Sequence, residues 1–162
     1  MEDYMQCSRD LFDPNGTTTR AQLVNILWRL EGKPVVNYAM SYTDVVADKW
    51  YTEAVRWATA EGIVLGHSDT VFAPNDAITR EQMAAILWRY AKYLGMDVSS
   101  NGIVMPDFAD RDDIAAWAGE AMSWAYSRGI IQGKSDDCLA PNGSATRAEA
   151  ATMLVRFLKL DA

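Results

Sequence analysis

The chain has 162 residues, 49% hydrophobic and 23% charged, which is enough apolar material for one or two ordinary domains. Its formal net charge of −7 argues against a nucleic-acid surface, which requires clustered Lys and Arg. No run of about 18 apolar residues is present that could cross a membrane. The opening Met1–Tyr4 is acidic where a signal peptide would be basic, which predicts either a cytosolic protein or a piece of a larger one.

Three segments of the chain resemble one another, which predicts an internal repeat. Each carries Pro-Asn, a short polar stretch and Thr-Arg before a helix-like run, in residues 11–22, 71–82 and 138–149. Upstream, the second and third segments agree again: Trp50, Ala54, Trp57, Gly62, Ile63 and Gly66 correspond to Trp117, Ala121, Trp124, Gly129, Ile130 and Gly133. The first segment has no such front half, so the chain is predicted to start inside a repeat.

The spacing of apolar residues predicts five helices. In chain order they cover residues 20–31, 50–61, 80–94, 114–128 and 147–160. Gly62 and Gly129 suit the C-terminal ends of the second and fourth helices, and residues 32–41 and 95–106 are predicted to be linkers. Because no stretch shows sustained alternation of polar and apolar residues, the fold is predicted to be all-α.

The repeated Thr-Arg-x-Gln/Glu motif predicts a capping box at the start of three helices. Thr19, Thr79 and Thr146 would accept a hydrogen bond as N-caps, and Gln22, Gln82 and Glu149 would reach back to the threonine N–H. Loss of such a cap costs about 0.5–2 kcal/mol, so structure alone accounts for these six residues.

The arginine that follows each threonine is less readily explained by structure. Arg20, Arg80 and Arg147 stand at the first helical position, where the helix dipole disfavours a cation. One interpretation is an anion receptor, formed by a solvent-accessible guanidinium and the helix N–H groups. The other is a structural salt bridge, for example to Asp69 or Asp136, and residue type alone leaves the two about equal.

Four of the tryptophans belong to the repeated front halves. Trp57 and Trp124 have small apolar neighbours and are predicted to lie in the core. Trp50 and Trp117 are predicted at helix starts, where they are either buried or exposed as stacking platforms for sugar rings.

Motifs of enzymes and metal sites are absent from the sequence. The single histidine, His67, is predicted to lie in a loop, and Cys7 and Cys138 match no metal spacing and are predicted to be unpaired thiols. The chain is therefore predicted to be neither an enzyme nor a metal- or cofactor-binding protein.

The combined pattern resembles the S-layer homology family. Repeats of that family run aromatic-x-Asp, Trp, Gly-Ile/Val-x-x-Gly, Phe-x-Pro and Ile-Thr-Arg-Ala-Glu. Here the corresponding residues are Tyr42 and Asp44, Trp50, Gly62–Gly66, Phe72–Pro74 and Ile78–Gln82. The resemblance covers two complete repeats and the back half of another, with expected limits of 1–35, 41–95 and 105–162.

The resemblance implies a pseudo-threefold spindle of helix–loop–helix repeats around a central helix bundle. It also implies non-covalent binding to a secondary cell-wall polysaccharide, often pyruvylated, at the bacterial cell surface, as part of a larger exported protein. The expected ligand-binding residues are Arg20, Arg80, Arg147, Gln22, Gln82, Glu149, Trp50 and Trp117. Substitution of Arg80 or Arg147 by alanine is expected to weaken polymer binding with little loss of melting temperature. The alternative is a protein-interaction or assembly module that keeps the fold and has lost the glycan.

The sequence departs from the family pattern mainly in its first repeat. Gln22 and Gln82 replace the usual glutamate, Gln6 replaces a glycine, and Arg9 replaces an aspartate. The front helix is predicted to cover the helix that follows it, so the apolar face of 20–31 is expected to lack a cover. Residues 1–10 in part, the linker 32–41 or a second copy of the chain could replace the missing helix. Because exposed apolar faces usually mark interfaces, self-association through the incomplete first repeat is favoured.

Overall fold

The computed structural model describes residues 14–134 and 137–161. It contains α1 Arg20–Leu30, α2 Thr52–Ala60, α3 Arg80–Tyr93, α4 Gly119–Ser127 and α5 Arg147–Leu158, and short 3₁₀ helices at Arg111–Asp113, Ala116–Ala118 and Lys159–Asp161. Within these ranges the only β pairing consists of isolated bridges. The prediction of an all-α fold is confirmed.

The ends of α2 and α4 follow from local sequence signals. Gly62 and Gly129 each stand just beyond the last helical turn with φ of +71°, the left-handed conformation that ends a helix and that glycine adopts without strain. The predicted starts of these helices are too early. Trp50 lies in the turn before α2 and Trp117 in the 3₁₀ helix before α4, because neither helix has a capping side chain that fixes its first residue.

A closed ring of backbone hydrogen bonds relates the three repeats. Thr18 N–H donates to the carbonyl of Ala145 (3.1 Å), Ala145 N–H to that of Ile78 (2.9 Å), and Ile78 N–H to that of Thr18 (2.8 Å). All three residues are buried. Each repeat thus bonds to both others through the residue immediately before its N-cap, which is the arrangement that a pseudo-threefold axis requires.

The front helix of each repeat packs against the back helix of the preceding repeat. α2 packs against α1, and α4 packs against α3. The prediction that a front helix covers the helix that follows it in the chain is therefore wrong. Each front helix instead covers the back helix that precedes it in the chain, which belongs to the neighbouring repeat.

This packing removes the stated reason for self-association through α1. Leu23 and Leu27 are fully buried and Ile26 is 3% exposed. The α1 face that was expected to lack a cover is closed by α2 of the same chain, and the first ten residues, proposed as a partial cover, lie outside the described residues.

The core continues through the helices of all three repeats. Trp57 and Trp124 are each 1% exposed, which confirms that they are core residues. Phe157 of α5 packs against Tyr90 of α3 and Trp124 of α4, with ring centroids 5.5 Å and 6.3 Å apart. The buried Tyr90–Phe157 contact therefore joins the second and third repeats within the core.

Candidate functional site

The three motif threonines are the N-caps of α1, α3 and α5. Thr19 Oγ1 accepts from Gln22 N–H, Thr79 Oγ1 from Gln82 N–H, and Thr146 Oγ1 from Glu149 N–H. In α1 and α3 the glutamine side chain completes the capping box, with distances of 2.8 Å and 3.1 Å from its Oε1 to the threonine N.

Glu149 does not complete a capping box, contrary to prediction. Its carboxylate turns away from the Thr146 N–H and binds Arg80 Nη1 at 2.7 Å and Lys134 Nζ at 3.3 Å. Two cations attract a carboxylate more strongly than a single backbone N–H does, whereas a neutral glutamine gains no such attraction.

The first N–H groups of these helices are occupied by carbonyl groups of the adjacent repeat. Arg20 and Ala21 donate to Asp76 and Pro74, Arg80 and Glu81 to Gly143 and Pro141, and Arg147 and Ala148 to Gly16 and Pro14. A ligand would find none of these donors available. The predicted anion receptor made from helix N–H groups is therefore wrong.

The motif arginines are buried, where solvent-accessible side chains were expected. Arg20 is 4% exposed, Arg80 5% and Arg147 7%. Arg20 Nε donates to Phe72 O and Nη2 to Leu65 O, and Arg80 makes the equivalent bonds to Leu139 O and Gln132 O. These arginines hold the Gly-x-x-Gly loop of the following repeat. The proposed salt bridge to Asp69 does not form, and Asp136 lies outside the described residues.

Two equivalent grooves lie beside these arginines. The Arg20 groove, of about 320 Å³, is lined by Arg20, Leu65, Gly66, His67, Gln82, Ala85, Ile86, Arg89 and Trp117. The Arg80 groove, also about 320 Å³, is lined by Arg80, Ile130, Ile131, Gln132, Gly133, Lys134, Ala148, Glu149, Thr152, Met153 and Arg156. Each joins the motif arginine of one repeat to the loop and back helix of the next.

The Arg20 groove has donors that no protein group uses. Nη1 of Arg20 and the whole guanidinium of the half-buried Arg89 have no hydrogen-bond or ion-pair partner in the part of the chain that the structure describes. Burial lowers the pKa of Arg20 and that of Arg89, and the charge of Arg89 lowers the pKa of Arg20 further. Two close guanidinium groups in a partly desolvated groove favour an anion or a hydroxyl-rich ligand.

In the Arg80 groove, by contrast, the donors of the motif arginine already bind protein acceptors. All three guanidinium nitrogens of Arg80 donate, to Leu139 O, Glu149 Oε2 and Gln132 O. Arg156 makes two longer bonds of 3.4 Å, to Ile130 O and to Gln132 Oε1. The hydrogen bonds from Arg80 and Lys134 lower the pKa of Glu149 although its burial raises it, so the carboxylate stays charged.

The predicted site residues are only partly brought together. Trp117 is 54% exposed and lines the Arg20 groove together with Arg20 and Gln82. Trp50 is 56% exposed and packs edge-on against Tyr51. By repeat equivalence Trp50, Gln22 and Arg147 belong to a third junction, whose loop falls in residues 1–13, outside the described part, as do the departures at Gln6 and Arg9.

Sequence reasoning missed Arg89 and Arg156 as groove residues. The sequence contains a signal for them, since an arginine stands seven residues after the Gln or Glu of each motif. The pairs are Gln22 and Arg29, Gln82 and Arg89, and Glu149 and Arg156. Residues seven apart share one face of a helix. His67 lies in an exposed loop as predicted, 3.5 Å from Asp76, and Cys138 is a free thiol, whereas Cys7 lies outside the described residues.

The described residues contain neither a metal-binding cluster nor a helix able to span a membrane. No group of three or more His, Cys, Asp and Glu lies in a metal-binding arrangement within residues 14–134 and 137–161. Among the helices of that same part, none has the length and apolar character needed to cross a membrane.

Comparison with known proteins identifies the repeats. The family model of the S-layer homology domain matches residues 41–84 and 107–151, which are the second and third repeats. The chain is 35% identical over 91% of its length to an amylopullulanase of Thermoanaerobacterium thermosulfurigenes, covering 8% of that protein. It is 31% identical over 91% to the surface-layer 125 kDa protein of Lysinibacillus sphaericus (12% covered), and 26% over 92% to a cellulosome-anchoring protein of Acetivibrio thermocellus (34% covered).

The chain belongs to the S-layer homology domain family. This is a family of non-catalytic repeats found in cell-surface and anchoring proteins. The same repeats occur in proteins named as enzymes and in proteins named as surface layers, so the repeats are not the part that distinguishes those activities. The chain spans about a third or less of the length of these relatives.

Proposed function

We propose that this chain is an anchoring module that binds a bacterial secondary cell-wall polysaccharide, without covalent attachment, at the cell surface. The observation that carries the proposal is the Arg20 groove, in which guanidinium donors that have no partner among the described residues lie beside a half-exposed indole ring. A sugar ring can stack on Trp117 while its hydroxyl or carboxylate groups accept from Arg20 and Arg89. The protein of which the chain is a part would be exported.

Family membership and repeat equivalence support the proposal. The junction between repeats recurs, so Arg80 with Glu149, and Arg147 with Gln22 and Trp50, stand at positions equivalent to Arg20, Gln82 and Trp117. Because the net charge is −7, attraction of an acidic polymer has to be local to such a groove. We propose no metal, no cofactor and no nucleic acid as a partner.

A second candidate is an interaction module that keeps the fold and has lost glycan binding. The observation that favours it is the Arg80 groove, where Glu149 and backbone carbonyls already occupy the guanidinium. If the other junctions behaved in the same way, the arginines would act only in holding the repeats together.

Co-sedimentation with purified sacculi distinguishes the two candidates. The walls should come from a bacterium that displays S-layer homology proteins, and half of the preparation should be stripped of its secondary polymer. We expect the chain to sediment with intact walls and to stay in the supernatant with stripped walls. Equal sedimentation with both preparations, or with neither, would refute glycan anchoring. Trp117→Ala serves as the site variant, and the exposed Val35→Ala, which is outside the grooves, as the matched control.

A further inference from the structure

A further cavity, of about 580 Å³, lies between the linker that joins the second and third repeats and the front half of the third repeat. We call it the linker groove. It shares no lining residue with the Arg20 and Arg80 grooves. Residues 98–100 of the linker form one part of its lining, and Ala116, Gly119, Glu120 and Ser123 form another.

The second repeat shows what fills the equivalent place there. By the correspondence that matches Trp50 to Trp117, these four positions are Lys49, Thr52, Glu53 and Arg56. In that repeat Arg56 Nε donates to Glu53 Oε2 at 3.3 Å, and Arg56 Nη1 donates to Tyr38 O at 2.8 Å. One guanidinium group of α2 thus joins the glutamate of its own helix to the linker 32–41.

The third repeat keeps the glutamate and lacks the cations. Ala116 and Ser123 stand where the second repeat has Lys49 and Arg56. The Glu120 side chain is exposed and has no hydrogen-bond or ion-pair partner among the residues that the structure describes. A serine is too short to span from α4 to the linker, so a groove remains where Arg56 makes its bridge in the second repeat.

The charge around the linker groove favours a cationic occupant. Residues 97–120 contain six acidic side chains and one basic side chain, a net charge of −5 out of −7 for the whole chain. The basic one, Arg111, lines the groove with its Nη1 atom 3.9 Å from Asp107 Oδ1, so its charge is partly offset. A concentration of one sign of charge at a cleft attracts the opposite charge locally.

We infer that the linker groove binds an arginine side chain of a partner polypeptide. The guanidinium takes the place that Arg56 holds in the second repeat, against the carboxylate of Glu120 and beside the linker. Arginine suits this place better than lysine, because its planar fork matches a carboxylate with two hydrogen bonds. The inference goes beyond the proposed function and does not depend on it, since the polysaccharide is assigned to a different groove.

An NMR titration of the whole chain with Nα-acetylarginine amide tests this inference. The matched control is Nα-acetylcitrulline amide, which has nearly the same shape and no charge. We expect the arginine compound to shift the amide signals of Gly119, Glu120 and Ser123. It should bind about three- to fivefold more tightly than the citrulline compound, the effect of one exposed ion pair, and this preference should fade at about 1 M salt. Equal affinity for the two compounds, or no shift with either, would overturn the inference.

Three variants separate the charge of Glu120 from the shape of the groove. Glu120→Gln should bind the two compounds equally. Ser123→Arg restores the residue type of the second repeat, so it should fill the groove and abolish the shifts. Ala60→Arg adds the same charge at the exposed end of α2 and should bind like the wild type. Arginine binding that survives unchanged in Glu120→Gln or in Ser123→Arg, or that is lost in Ala60→Arg, would contradict the assignment.

Two further measurements distinguish a polypeptide from a wall polymer as the occupant. Glucosamine carries its ammonium group on a sugar ring, and it should bind more weakly than the arginine compound. Ser123→Arg should sediment with polymer-bearing walls as the wild type does. Tighter binding of glucosamine, or loss of sedimentation in Ser123→Arg, would overturn the assignment to a polypeptide. Failure of the arginine compound to bind leaves the anchoring proposal intact, because sedimentation of the wild type tests that proposal separately.

Discussion

The Arg80 guanidinium and the Glu149 carboxylate meet at 2.7 Å across the boundary between the second and third repeats. Their side chains are 6% and 23% exposed, so the pair is only weakly screened by solvent. The contact joins the starts of α3 and α5, and Lys134 adds a second cation to it. This small cluster links the stability of the repeat boundary to the ionisation of one carboxyl group.

Replacement of Glu149 by glutamine should therefore lower stability in a pH-dependent way. Burial raises the pKa of Glu149, but the hydrogen bonds from Arg80 and Lys134 outweigh it and hold the pKa below its ordinary value. A lowered folded-state pKa contributes stability above the unfolded-state pKa, and that stability is lost as the pH falls through the folded-state pKa. We expect Glu149→Gln to cost about 1–3 kcal/mol at neutral pH and almost nothing in strong acid.

Urea unfolding at a series of pH values measures this difference. Glu61→Gln is the control, because Glu61 is exposed at the end of α2. The control should track the wild type throughout. A Glu149→Gln deficit that stays constant down to the lowest pH would contradict the assignment.

The second prediction concerns Arg80 and revises an expectation from the sequence. Arg80→Ala leaves Leu139 O, Gln132 O and the Glu149 carboxylate without their donor, which should cost about 2–4 kcal/mol. Loss of polymer binding in this variant would therefore report on the fold as well as on the ligand.

Arg89→Ala is the informative counterpart, because the Arg89 guanidinium has no partner among the described residues. Its loss should change the free energy of unfolding by less than about 1 kcal/mol.

Thermal denaturation and sacculus binding, measured on both variants, check this contrast. We expect Arg89→Ala to bind intact walls more weakly while it melts close to the wild type. A stable Arg80→Ala variant, or an unstable Arg89→Ala variant, would show that the described contacts misassign the two roles.

The parts of this fold that were predictable from sequence are those that local interactions determine. The threonine caps follow from a spacing within one helical turn, and the burial of Trp57 and Trp124 follows from their small apolar neighbours. Gly62 and Gly129 end helices because only glycine adopts a φ of +71° without strain. Each of these features depends on residues close together in the chain.

The parts that were mispredicted depend on contacts between repeats. Arg20 looks exposed at the start of an amphipathic helix, yet Phe72 O and Leu65 O come from more than 40 residues away to accept from it. In the same way, nothing in the periodicity of α2 indicates that it packs on α1. The pattern identifies an apolar face but does not name the element that covers it.

The third prediction concerns the aspartate of the aromatic-x-Asp motif. Asp44 Oδ1 and Oδ2 accept from Phe72 N–H at 2.9 Å and Ala73 N–H at 2.7 Å. Burial raises the pKa of Asp44, but these N–H bonds outweigh it, so the pKa lies below the ordinary value. An asparagine offers only one acceptor, so Asp44→Asn should cost about 1–2 kcal/mol.

An NMR titration of the Asp44 carboxyl checks the pKa, and chemical denaturation of Asp44→Asn checks the free energy. Asp107→Asn is the control, since the Asp107 side chain is 96% exposed. A titration midpoint at or above that of an ordinary aspartate would contradict the two N–H bonds.

The fourth prediction compares an exposed tryptophan with a buried one in the same repeat. Trp117 is 54% exposed and Trp124 is 1% exposed. Trp124→Ala should cost about 3–5 kcal/mol by leaving a cavity, whereas Trp117→Ala should change the free energy of unfolding by less than about 1 kcal/mol. Binding to intact walls should fall in Trp117→Ala and recover partly in Trp117→Phe, which keeps an aromatic face. Unchanged binding in Trp117→Ala would remove the indole from the proposed site.

The last prediction concerns Gly66, which lies in the loop that Arg20 holds. A Cβ atom at this position would come within 2.5 Å of Ser68 O and 2.6 Å of both Val71 O and Tyr42 Cε1. Two of these atoms belong to the backbone and cannot rotate away, so the loop itself must move. Movement of Leu65 would weaken the bond from Arg20 Nη2 to its carbonyl. We expect Gly66→Ala to cost about 1–3 kcal/mol, the usual range for overpacking, and to reshape the Arg20 groove.

Gly119→Ala provides the opposite expectation in the same experiment. Gly119 begins α4 and has no atom within 4 Å of an added Cβ, so alanine should stabilise the helix by about 0.5–1 kcal/mol. Urea unfolding of the two variants, with the Trp117 indole N–H signal as a probe of the groove, measures both effects. A Gly66→Ala variant with wild-type stability and an unshifted Trp117 signal would contradict this prediction. It would show that the loop accepts a Cβ atom beside Tyr42 and Val71 without moving.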